Sequence, residues 1–138
     1  MKTKSNIGRI IISIPLGIML VIFISANILN TSVNDGCIKV YGLYGKKIEI
    51  SDITDISLKN TIPKIKKVSN GIILASGKRK GYFTAGDKGV SLYLYNLESP
   101  FIYIETKDGE YYLNLNDSDE TKEVYKEIIK EKSWKAIL

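Results

Sequence analysis

Histidine does not occur in this chain of 138 residues, and cysteine occurs once, at Cys37. These two absences exclude zinc sites built from Cys and His, nucleophile pairs of the Ser-His or Cys-His kind, and any disulfide within the chain. A single thiol leaves two roles open: a small residue at the start of a strand, or a link between two chains. Acidic residues are missing from Lys59 to Lys80, where seven basic residues stand. Charge of either sign is missing from Ile10 to Leu29. No internal repeat or low-complexity tract interrupts the remainder.

The basic run has a counterweight. From Glu105 to Glu131 nine acidic residues stand against four lysines, so the chain is polarised along its length. Beyond residue 30 the balance is 17 basic against 15 acidic residues. A surplus that small argues against a dedicated nucleic-acid binder, which carries a larger excess on one face.

The uncharged run reads "IIISIPLGIMLVIFISANIL". At about 1.5 Å per residue it would reach about 30 Å, the thickness of a hydrocarbon core. Ser13, Ser25 and Asn27 are tolerable in such a span, and Pro15 near its start would kink the helix rather than abolish it. Lys2, Lys4 and Arg9 precede it without an acidic partner. The run is longer than the h-region of a secretory signal, and Ile24-Ser25-Ala26 offers no small-x-small cleavage site. "VNDGC" lacks the small-residue box that a lipoprotein signal places before its cysteine. A core helix apolar on every side would need complete wrapping, for which the remaining chain is too small. The pattern therefore predicts a cytoplasmic tail and transmembrane helix over residues 1–30. The protein would sit in the cell membrane as a single-pass chain, its N-terminus in the cytoplasm and its domain extracytoplasmic.

"NTSVNDG" reads as a polar linker, assigned to residues 31–36, before a domain over 37–138. From there the apolar period is two. "CIKVYGLYG", "KKIEI" and "ITDISL" read as short strands, followed by "GVSLYLYNL", "PFIYIET" and "EYYLNLN". Asp108-Gly109 is a two-residue hairpin signal, and "GDKG" at 86–89 and "YGK" at 44–46 mark further turns. At the end, Asp117 can cap a helix with Glu120 three residues on. Val124 and Ile128, and Tyr125 and Ile129, recur at i and i+4. Acidic residues gather in the first turn and lysines later, as the helix dipole favours. The expected fold is mainly β: about seven antiparallel strands in a half-open barrel, or else a two-sheet sandwich, capped by a C-terminal amphipathic helix, with that helix lying across a single sheet as the alternative.

The segments "IKVYGLYG", "ISDITDISL", "IPKIKKVSNG", "KGYF", "LYLYNLESPFIYIETKDGEYYLNLND" and "ETKEVYKEI" together resemble the bacterial PH-like (pleckstrin-homology-type) domain family. The resemblance covers about residues 37 to 130. It implies a PH-like barrel, often preceded in that family by a membrane segment, and it implies no catalytic role. Pro63, Asn70, Gly71, Gly81, Phe83, Asp108-Gly109, Thr121 and Tyr125 look like signature positions. Val68 departs from the pattern, since many members carry arginine there.

Lys64, Lys66 and Lys67 fall in the connection after the third expected strand, and Lys78, Arg79 and Lys80 at the next hairpin tip. Two nearby basic loops suit anionic headgroups or another polyanion, at about 1 kcal/mol per basic side chain near an anionic surface. They equally suit a solvated face that balances the acidic helix, or an acidic protein partner. Tyr93, Tyr95 and Tyr103 lie opposite the aliphatic residues of their strands and could form a cross-strand ladder. Asp52 with Asp55, and Asp117 with Asp119, are carboxylate pairs without a histidine, better suited to shaping turns than to catalysis. The reading is a membrane-anchored, non-catalytic PH-like binding or assembly module without a cofactor. Its first expected role is contact with a protein partner at the membrane. The alternative is binding of anionic lipid or cell-envelope polymer through 64–67 and 78–80.

Overall fold

The computed structural model describes residues 2–27 and 29–137, with backbone alone at 2–8, 10 and 25–27. Among the described residues nine strands form two sheets. The smaller is an antiparallel meander of β1 (Asn30–Asn34), β2 (Cys37–Tyr41) and β3 (Lys46–Glu49). A 3₁₀ turn at Ile50–Asp52 leads into the larger sheet. Its strands are β4 (Ile53–Lys59), β5 (Lys67–Ile73), β6 (Arg79–Ala85), β7 (Lys88–Leu94), β8 (Phe101–Thr106) and β9 (Gly109–Leu113). Their spatial order is β4-β8-β9-β7-β6-β5, and β7 pairs with β9 in parallel.

This corrects the expectation of one antiparallel barrel of about seven strands. The β8–β9 hairpin, closed at Thr106 and Gly109, enters the sheet between β4 and β7, which forces β9 to run parallel to β7. Alternation marks which face a side chain takes; it says nothing of which strand lies alongside. Residues 31–36 also differ from expectation. They form most of β1 and its turn, where Asp35 (φ 53°) and Gly36 (φ 71°) both take positive φ. That is the two-residue hairpin geometry that Asp-Gly supports.

The six-stranded sheet is covered on both faces. Tyr93, Ile102, Ile104, Tyr111 and Leu113 meet Ile38, Val40 and Ile48 of the small sheet and Ile128 of α2 (Ser118–Ile137). Phe83, Val90, Leu92, Leu94 and Phe101 face the other way and are covered by Ile62 and Ile65. The stretch 60–66 is thus a strap that packs its half-buried isoleucines on the sheet and leaves Lys64 and Lys66 exposed. The C-terminal helix forms as its pattern required: the Glu120 amide donates to Asp117 Oδ1 at 2.8 Å, and Val124 and Tyr125 pack beside the fully buried Ile128. The Glu120 carboxylate accepts from the Asn116 side chain at 3.4 Å instead of returning to the cap amide.

The N-terminal segment is helical, α1 (Lys2–Asn27). The transmembrane assignment does not stand: among the described residues no helix is long and apolar enough to cross a membrane. From Ile11 to Ile24 its side chains are described and exposed. Fourteen residues rise only about 21 Å, against the roughly 30 Å of a hydrocarbon core. Ser13, Pro15 and Gly17 dilute the apolar character further. The expected single-pass topology depended on that span. Lys2 and Lys4, whose charge set the orientation, and Ser25 and Asn27 lie outside the described side chains.

The register defines two ends of the domain. Leu29, two residues beyond α1, is buried in the core, and the Tyr95 hydroxyl donates to its carbonyl. Asn30 pairs with Tyr41, so the turn 42–45 lies at the end where α1 leaves. Tyr95 places the end of β7 there, and with it the start of β6, since Arg79 pairs with Leu94. The Asp35-Gly36 turn and the C-terminal half of α2 lie at the opposite end, where Lys135 Nζ donates to the Gly36 carbonyl at 3.3 Å.

Candidate functional site

Strand register separates the six basic candidates. Lys67 pairs with Thr84, whereas Arg79 pairs with Ile73, so 67 and 79 occupy opposite ends of the β5–β6 hairpin. Six residues of strand separate those ends by about 20 Å. Lys66 lies with Lys67, its amide donating to the Thr84 carbonyl at 2.8 Å. Lys80 is not a surface residue: it is fully buried. It pairs with Tyr93 and shares that face of the sheet, opposite to Arg79, because successive strand residues point to opposite faces. Burial first, and the Lys78 charge second, hold its ammonium below the ordinary lysine range. Lys78 is half-buried, its Nζ 5.7 Å from the centre of the Tyr95 ring.

Lys64 and Arg79, fifteen residues apart in the chain, come together. The strap and the loop 95–100 border a cleft of about 470 Å³ lined by Asn60, Pro63, Lys64, Arg79, Leu97 and Phe101 among others. No carboxylate lines it. The Arg79 Nε is buried with no hydrogen-bond partner among the described residues. A buried donor left unpaired costs about 1–3 kcal/mol, and two cations sharing a cleft repel. An oxyanion placed there would offset the repulsion between the two cations, and a guanidinium can bind one through two parallel N–H···O bonds. The salt bridges among described residues join Lys39 to Asp35, Lys47 to Glu49 and Lys88 to Glu110, so none ties the strap to the acidic helix.

Asn114 anchors the loop beside this cleft. It is buried, and its Nδ2 donates to the Asn96 and Glu98 carbonyls at 3.0 and 3.1 Å and to Asn96 Oδ1 at 2.8 Å. Its Oδ1 accepts from the Tyr95 amide at 2.8 Å. β9 ends at Leu113, so the period of two no longer governs the residue that follows. Nothing in the sequence marks this asparagine apart from Asn116.

The tyrosines do not form the expected ladder. Tyr93 lies in the core shared with the small sheet, whereas Tyr103 faces the strap side and packs on Tyr112 with ring centres 5.2 Å apart. Its hydroxyl donates to Glu110 Oε1 at 3.0 Å. Burial, and then that bond, raise its pKa well above the ordinary phenol range. The positions resembling a family signature have packing roles. Gly71 faces Gly81 across the hairpin, Phe83 is fully buried, and the Thr121 hydroxyl bridges the Leu115 amide and the Asp117 carbonyl. Among the described residues no three Cys, Asp or Glu side chains are placed to hold a metal ion. Comparison with protein-family models, curated proteins and solved structures finds no match to this chain.

Proposed function

We propose that this protein is a non-catalytic binding module attached to a lipid surface by α1, and that the Lys64–Arg79 cleft binds an anionic group carried by that surface. The observation behind the proposal is Arg79, whose buried Nε has no hydrogen-bond partner among the described residues, beside Lys64 in a carboxylate-free cleft at the end of the domain where α1 leaves. Attachment follows from the apolar residues of α1, exposed on every side from Ile11 to Ile24. Apolar side chains exposed along a helix of this length can enter the interfacial layer of a bilayer without crossing it. Kinship with the bacterial PH-like domains is proposed on turns and core strands alone and adds nothing to the choice of ligand.

Flotation of the full chain with vesicles tests this. Binding to phosphatidylcholine vesicles reports attachment. Added phosphatidylglycerol should tighten it, less so at raised salt. Lys64→Ala/Arg79→Ala should remove about 2 kcal/mol of that gain, roughly a thirtyfold change in partition, while leaving phosphatidylcholine binding in place. A wild-type chain indifferent to lipid charge would overturn the cleft assignment.

A protein partner is the second reading, favoured by the edge strand β5. Its outer side is unpaired, and Val68 and Ile73 are 40 % and 47 % exposed. An open edge of this kind accepts an added strand from a partner.

A further inference from the structure

We infer that the turn between β2 and β3, together with Leu97, is a second lipid-contacting element that seats the domain in the headgroup region. The inference rests on the attachment through α1 proposed above; the turn residues lie outside the anion cleft, which Leu97 borders. Four observations carry it.

The first is place. Asn27 and Leu29 are two residues apart, a reach of about 7 Å, and Leu29 is locked into the core. The domain therefore cannot move far from the end of α1, and whatever projects at that end meets the surface to which α1 attaches. The second is exposure: Tyr41, Leu43, Tyr44 and Leu97 are 47 %, 39 %, 36 % and 52 % exposed, without a covering element among the described residues.

The third is chemistry. Tyrosine, with an apolar ring and a polar tip, is enriched where acyl chains give way to headgroups, and leucine suits the layer just beneath. Lys46 follows the turn, exposed and able to meet phosphate. The fourth is cost. Gly45 closes the turn by donating to the Gly42 carbonyl at 3.0 Å, and Tyr44 sits inside it at φ 64°. A bulky residue in the left-handed region is strained, and glycine or asparagine would be the ordinary occupant. Strain of this kind is retained where the side chain has a use.

The occupant is thus the interfacial layer of a bilayer. Trp134, the single tryptophan, is 66 % exposed in the half of α2 that lies at the far end, and so serves as an internal control. The test uses the full chain on neutral phosphatidylcholine vesicles containing brominated acyl chains, so that the cleft plays no part. In a Leu43→Trp/Trp134→Phe chain the emission should shift to the blue and be quenched by at least half. Trp134 of the wild-type chain should remain unquenched. Tyr44→Trp in the same background reads the turn from its strained position, should Leu43→Trp perturb folding. Flotation without quenching at either position overturns this inference and leaves the attachment standing. Failure to float overturns both.

Discussion

At the scale of single residues, Cys37 shows how a reactive group is silenced. Its thiol is buried and donates to Glu49 Oε2 at 3.2 Å, while Lys47 Nζ holds the other carboxylate oxygen at 3.2 Å. The bond to Glu49 first, and burial second, raise the thiol's pKa, so the nucleophilic thiolate is disfavoured. An aromatic disulfide reagent should leave Cys37 unmodified in the folded chain and react once urea unfolds it. That outcome would decide between the two roles the sequence left open, against a link between chains. Asn114 makes four hydrogen bonds from a buried amide. Asn114→Ala should cost about 2–3 kcal/mol in urea unfolding, because the loop groups it serves lose their partners. Tyr44 has the opposite sign. Tyr44→Gly should stabilise the chain by about 0.5–1 kcal/mol, since relief of left-handed strain outweighs the added entropy of the unfolded glycine.

At the scale of elements, the β5–β6 hairpin depends on two facing glycines. A methyl group at Gly81, where φ is 113°, would lie 2.5 Å from the Asn70 carbonyl oxygen and 2.5 Å from the Gly71 Cα. Gly81→Ala should therefore destabilise the fold by about 2 kcal/mol or more, measured by thermal unfolding. The two Asp-Gly pairs are instructive side by side. Asp108-Gly109 marked a real hairpin, although Lys107 and Asp108 occupy its centre and Gly109 closes it opposite Thr106. Asp35-Gly36 carried the same signal and adopts the full two-residue turn, yet its polar surroundings had read as a linker. Thr31 and Val33 show why: the inward positions of β1 are held by a buried threonine and a half-buried valine, so no apolar alternation betrays the strand.

At the scale of the whole molecule, buried titratable groups should shape the response to alkali. Burial, and then the neighbouring Tyr111, push the Tyr93 phenol from 10 up to about 12. Its contribution to stability is full below pH 10 and is lost as the pH rises towards 12. Lys80, facing Tyr93 across β6 and β7, works the other way. Its charged form is disfavoured in the fold, so its cost is present at neutral pH and is relieved as the pH climbs towards 10.5. The melting temperature should thus gain from Lys80 on approach to pH 10 and fall from there to 12. Tyr93→Phe should lessen the fall, and Lys80→Met should remove the gain. A pH profile unchanged by either substitution would refute this account.

Sequence alone determined what depends on neighbours along the chain: the strand period in 88–94 and 101–106, the Asp117 cap and the apolar stripe of α2, and the absence of histidine chemistry. Tertiary structure decided what depends on distant partners. It placed β9 beside β7, buried Lys80 while leaving Arg79 in a cleft with Lys64, and drew residues 31–36 into a sheet. The division has one physical reason. Backbone geometry and side-chain alternation act within a few residues, whereas register, cleft and burial arise when separate segments compete for the same apolar surface.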